Sequence, residues 1–190
     1  MTNDPFGWWK TSTEFADFSA PELCRTRLTT FERTIRRRNA IEYAAGALVA
    51  VLFGGALIGS LAAGEWAFAL AGALTLAGTA MVLVHLRRFG SNLDPNPALD
   101  CRSHLMAQLT RQQALLRKVP QWYLAPLVPG ICAFYGITAA KVAQVQGWAT
   151  ALEGIWLPLL ATALFFAFVA WLNLSAARKL DEELGRLRSA

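Results

Sequence analysis

The chain has 190 residues, 55% of them apolar, yet its formal net charge is +5 and its pI about 9.5. A mean hydropathy of +0.35 excludes an ordinary soluble domain, because apolar residues this abundant beside so many cations must be segregated into blocks, as in a membrane protein. The cysteines Cys24, Cys101 and Cys132 offer no even-numbered secreted disulfide framework and read as reduced thiols, two facing the cytosol and the third inside a span.

Residues 1–18 are polar but carry Phe6, Trp8, Trp9, Phe15 and Phe18. Such rings either lie at the lipid interface or form a docking peptide for a partner. Ser19-Ala20-Pro21-Glu22 has the form of a helix start, with Ser as cap and Glu reaching back to it. A basic amphipathic helix over 19–39 follows. Cys24, Leu28, Phe31 and Ile35 make its apolar stripe, and Arg25, Arg33, Arg36 and Arg37 lie mostly off it. Such a helix suits an anionic membrane surface, a partner groove, or a passive stop that fixes topology.

No charged residue occurs from Tyr43 to Ala63, and about 20 apolar residues at ~1.5 Å each cross a bilayer core of ~30 Å. The first span is placed at 40–63 and the second at 66–85, the pair forming an antiparallel hairpin over 40–85. No cleavable signal peptide is evident, since the first apolar run is too long for one, so this span directs insertion. Gly54, Gly55 and Gly59 face a row of Ala69, Ala73 and Ala77, the small-residue spacing that lets lipid-embedded helices approach closely. Packing within the hairpin is favoured over homodimerisation.

Residues 86–118 return to polar sequence. SNLDPNP is turn chemistry, and a second amphipathic helix is expected from Pro97 with Asn96 as cap. Leu105, Leu109 and Leu116 share a face with Cys101, while Arg102, Arg111 and Lys118 lie largely elsewhere. The second hairpin occupies 119–177, with a third span at 119–140 and a fourth at 154–177. Pro126, Pro129 and Gly130 predict a kink in the third span. The tail, 178–190, alternates in charge sign and suits a short solvated helix.

Lysine and arginine number seven before the first span, six in the central loop and four in the tail, with only Lys141 elsewhere. By the positive-inside rule both termini are cytoplasmic. The halves also resemble one another: P-E-L-C-R-T-R-L precedes the first span and P-A-L-D-C-R-S-H-L the third. An even number of spans between them would make this a parallel repeat.

Chemistry is sparse. Glu42 and His85 lie at span ends and no charged residue lies near a midplane, which disfavours a proton-coupled carrier. Cys101 and His104 have CxxH spacing, and Cys24 could approach if the two helices pair, but a structural zinc site needs four ligands. No P-loop, HExxH or GxSxG occurs. No catalytic, cofactor or metal residue is therefore assigned, and nucleic acid is not an expected partner. Through R-R-N-x-x-E-Y, here Arg37-Arg38-Asn39 with Glu42-Tyr43, residues 28–50 resemble small bacterial inner-membrane proteins whose arginine-rich helix runs into a span. The resemblance implies topogenesis and carries no activity.

The expected fold is thus an all-α polytopic membrane protein of four transmembrane helices in two antiparallel hairpins, each preceded by a cytoplasmic amphipathic helix. The expected role is a non-enzymatic bacterial inner-membrane protein presenting Trp8, Trp9, Phe31, Arg33, Arg36, Arg37, Arg38, Arg111, Arg117 and Lys118 to a protein partner or to anionic lipid. Its rivals are an accessory subunit of a respiratory, photosynthetic or transport complex, and an oligomeric small-solute carrier.

Overall fold

The computed structural model describes residues 21–93 and 100–189. Its α-helices are α1 (Pro21–Ala62), α2 (Trp66–Phe89), α3 (Cys101–Arg117), α4 (Val128–Gln146) and α5 (Trp148–Ser189). Between α3 and α4 lie a π-helical turn, Pro120–Leu124, and a 3-10 turn, Ala125–Leu127. Among the described residues there is no strand. Four stretches are long and apolar enough to cross a membrane: Cys24–Ala62, Trp66–Phe89, Pro120–Gln146 and Trp148–Ser189. The chain is built as a multipass membrane protein.

Several boundaries differ from expectation. α1 is one helix of 42 residues rather than an amphipathic helix over 19–39 joined to a separate span. No proline interrupts it after Pro21, and a change of solvent from water to lipid does not end a backbone hydrogen-bond ladder. At ~1.5 Å per residue it is roughly 60 Å long, about twice a bilayer core. α5 is also 42 residues long and runs through Pro158 and the tail without a break. Its start at Trp148 corrects the expected 154. Only Gly147, at φ 87°, separates it from α4, a backbone conformation that glycine adopts without steric cost. α3 begins at Cys101, where Asp100 is extended at ψ 157° and caps the helix by accepting a 3.4 Å bond from the Ser103 N–H, and the expected start at Pro97 lies outside the described residues. Ser19, Asn96, Trp8 and Trp9 lie outside the described residues.

The α1–α2 connection closes with glycine chemistry as well. The Glu65 N–H donates to the Ser60 carbonyl at 2.8 Å around Gly64, which sits at φ 74°.

The ends of α1 and α5 that extend past the apolar stretches form, with α3, a three-helix head. Leu105, Leu109, Leu184 and Leu187 are its buried core, flanked by Cys24, Leu28, Phe31, Met106 and Leu180. Ile35 is buried too, so the apolar stripe of α1 faces inward. The tail is not simply solvated: its leucines recur so that Leu180, Leu184 and Leu187 meet α3, each buried leucine contributing about 1.5–3 kcal/mol. Cys24 and Cys101 are joined by a disulfide, with Cα atoms 6.3 Å apart. This corrects their reading as reduced thiols. Cys132 remains free and exposed.

The apolar stretches pack in the neighbour order α1, α2, α4, α5, and α3 closes against both α5 and α1. α2 is the central helix. In its most apolar window 39% of residues are buried, against 6% in α1 and none in α5.

Small residues set these contacts, and of the expected positions only Ala69 is buried. A Cβ added at Gly54, Gly55 or Gly59 would meet nothing within 4 Å, and Ala73 and Ala77 are exposed while Ala69 is buried. The α1–α2 contact forms instead at Gly72, where a Cβ would lie 3.5 Å from the Leu57 side chain, and at Gly46, where it would lie 2.7 Å from Leu83. α2 also meets the irregular turns and the first turn of α4 closely. A Cβ at Gly78 would come within 2.9 Å of the Pro126 carbonyl carbon, and one at Gly130 within 2.7 Å of the Thr75 backbone nitrogen.

Candidate functional site at the junction of head and spans

α2 ends at Phe89, and the orphan carbonyls that every helix terminus leaves are here collected by side chains from α1 and α3. Arg111 donates to the carbonyls of Phe89 at 3.3 Å and Arg88 at 3.1 Å. The Asn39 amide donates to the Gly90 carbonyl at 2.8 Å, and Gln112 approaches the same oxygen at 3.5 Å. Gln112 in turn accepts from Arg38 at 3.2 Å. One helical turn earlier, Gln108, fully buried, accepts from the Leu93 N–H at 2.8 Å and donates to Asn92 at 3.0 Å. Asn92 then donates to the Glu32 carbonyl at 3.3 Å.

Arg38, Asn39 and Glu42 share one inward face of α1, which gives the R-R-N-x-x-E-Y block a packing role. Arg38 and Glu42 stand at i and i+4, the spacing at which helical side chains meet. Glu42 shares its cavity with Tyr123, which comes from the π-helical turn. Extra residues in a π turn re-aim side chains and recur at functional positions. Here the turn presents Trp122 and Tyr123 together, their rings edge to face at 5.5 Å. Trp122 is fixed by stacking on His85 at 4.7 Å and by its indole N–H donating to the Leu115 carbonyl at 3.0 Å.

Two cavities meet at Glu42 and Tyr123. One, of about 180 Å³, is lined on its polar side by Arg38, Glu42, Trp122, Tyr123 and Asn173. The other, of about 200 Å³, runs between α1 and α2 past Gly46, Val49, Phe53 and Val82 to Ile131. Thr75 and Thr79 on its wall donate back to their own helix, at 2.9 and 2.8 Å, so they present little unsatisfied polarity. The crevice can hold an apolar chain or ring with a hydrogen-bonding end at Glu42 and Tyr123.

The expected surface residues divide. Arg33, Arg36, Arg37, Arg117 and Lys118 are exposed. Arg38 and Arg111 are engaged in the junction, and Phe31 packs on the head core, so these three are removed from the presented surface. Of the expected kink residues only Pro126 lies in a departure from α-helix, the π and 3-10 turns at Pro120–Leu127, which press on α2, whereas Pro129 and Gly130 lie in the first turn of α4. Sequence reasoning missed Asn39, Gln108 and Gln112. The two glutamines were signalled by their i, i+4 spacing on the same face as Leu105 and Leu109. At the opposite end, Lys141 pairs with Glu65 and lies 5.3 Å over the Phe68 ring. Among the described residues no cluster of three His, Cys, Asp or Glu could hold a metal.

No family model, curated protein or solved structure matches the chain.

Proposed function

We propose that this is a non-enzymatic protein of the bacterial inner membrane, with both termini cytoplasmic, that presents a basic three-helix head to a protein partner. The observation that carries the reading is the direction of the head's faces. The apolar stripes of α1, α3 and the α5 tail close on one another, while Arg25, Arg33, Arg36 and Arg37 stay exposed. A folded head with its cations outward suits an acidic partner surface.

The orientation is supported by exposed basic doublets at the head-side end of all four spans: Arg36-Arg37, Arg87-Arg88, Arg117-Lys118 and Arg178-Lys179. At the other end Lys141 is neutralised by Glu65. Such a collar also attracts anionic headgroups. The arrangement as two antiparallel hairpins in a parallel repeat is supported by Cys24 and Cys101, which hold corresponding places in the two halves and bond to each other.

Reversing exposed charges, Arg33→Glu with Arg37→Glu, tests the reading without disturbing the head core. Affinity purification in mild detergent should lose a soluble partner while membrane insertion persists. A second reading, an accessory subunit of a larger membrane complex, is favoured by the uncovered apolar window of α5 and the open Gly55 and Gly59 face. A stable set of membrane subunits unaffected by the reversal supports it instead. A carboxyl-terminal phosphatase reporter active in the periplasm overturns the orientation.

A further inference from the structure

The disulfide and the proposed orientation stand in tension. Disulfides persist in oxidising compartments and are rare in the bacterial cytosol, where those that form are mostly transient, yet the Cys24–Cys101 bond lies in the head, at the end with nearly all the cations. The placement of the bond within the head resolves the tension.

Cys101 is the first residue of α3 and Cys24 lies in the first turn of α1. Both are half-buried rather than enclosed, so a small thiol can reach them. Helix N-termini favour the thiolate, the form that attacks and leaves in thiol–disulfide exchange. The bond also lies N-terminal to the inter-helix hydrogen bonds of Glu32, Arg38 and Asn39. Nearer the N-terminus, apolar packing by Leu28 and Phe31 accompanies the disulfide. A free helical segment of about 11 residues is marginal in water.

We propose that Cys24 and Cys101 are a redox-reversible clamp: when closed it holds the first three turns of α1 on α3, and when open it releases them with Arg25. The proposal rests on the cytoplasmic placement of the head. In closing, one cysteine thiolate attacks a small-molecule disulfide such as glutathione disulfide, forming a mixed disulfide and expelling one thiolate. The second cysteine thiolate then attacks the protein sulfur and expels the other. Two cysteine thiols are oxidised by two electrons, one disulfide is reduced to two thiols, and the protons pass from the cysteines to the leaving thiolates. Opening by a dithiol reductant is the reverse exchange.

The test uses the full chain in cells, acid-quenched and alkylated with a maleimide of added mass, beside a carboxyl-terminal topology reporter. Expected are two labelled thiols at Cys24 and Cys101 in untreated cells, closure after a pulse of diamide, and reopening after washout. In inside-out vesicles poised with glutathione buffers, trypsin should cut after Arg25 roughly tenfold faster in the reduced protein, as local opening allows. Cys24→Ser and Cys101→Ser should each cut fast whatever the buffer. A cytoplasmic reporter with a pair that never closes, or never opens, overturns the clamp and leaves the function reading standing. A periplasmic reporter with a permanently closed pair overturns the function reading and makes the bond a fixed staple. Equal cutting in both buffers shows that the bond holds nothing, and the clamp fails.

Discussion

The head and the spanning layer are made from the same helices but hold together in different ways. In the head, leucines from three helices form a core like that of a water-soluble protein. In the layer, the tight contacts fall on Gly46, Gly78 and Gly130, while the apolar window of α5 buries nothing. Water drives leucine inward; lipid tails do not, so helices in lipid rely on close backbone approach. α1 and α5 each obey both rules along a single rod.

The largest effect should come from filling a backbone contact in the layer. Gly130→Leu sets side-chain atoms against the Thr75 backbone, which exceeds the ~1–3 kcal/mol of ordinary overpacking. The folded yield in detergent, read by size-exclusion, should collapse. In the head, Leu109→Ala should cost about 2–5 kcal/mol, seen as loss of protease resistance in α3 and the α5 tail while the spans stay inserted. If both regions unfold together, the division between them is wrong.

At the seam, Gln112→Ala should cost about 1 kcal/mol by leaving the Arg38 guanidinium short of an acceptor, measured as a fall in melting temperature. Gly55→Leu should leave stability within ~0.5 kcal/mol, since it points into open space. A large loss, or a change in oligomer size, would show that this face is covered in the native membrane.

The smallest effect concerns pH. The hydrogen bond from Ser103 holds the Asp100 carboxyl below its ordinary 3.8. Its capping contribution is therefore present above that value and lost as pH falls through the lowered one. Hydrogen exchange at the Ser103 amide should quicken only in that acid range.

The existence of four apolar stretches was legible because a bilayer needs a long uncharged run, and length cannot be disguised. The inward stripe of Cys24, Leu28, Phe31 and Ile35 was legible from helical spacing. What covers that stripe was not, since an apolar face looks alike whether it meets lipid, a partner or the chain's own tail. Gly55 and Gly59 misled for a related reason: small-residue spacing names a face able to pack, and only the neighbours decide whether Gly59 or Gly72 is used. Helix ends at 39 and 177 were inferred from a change in composition that leaves the backbone ladder intact. The disulfide was weighed by compartment, although the approach of Cys24 to Cys101 was foreseeable from paired helices.

The unbroken course of α1 has a mechanical consequence. Its 18 residues before Asn39 form a shaft of about 27 Å at ~1.5 Å per residue, continuous with the part in lipid. Tilt answers bilayer thickness, and a rod without a joint magnifies it: a change of about 10° swings the far tip by about 5 Å, the height of one helical turn. A change of tilt within the lipid would thereby be carried, undiminished in angle, to the head.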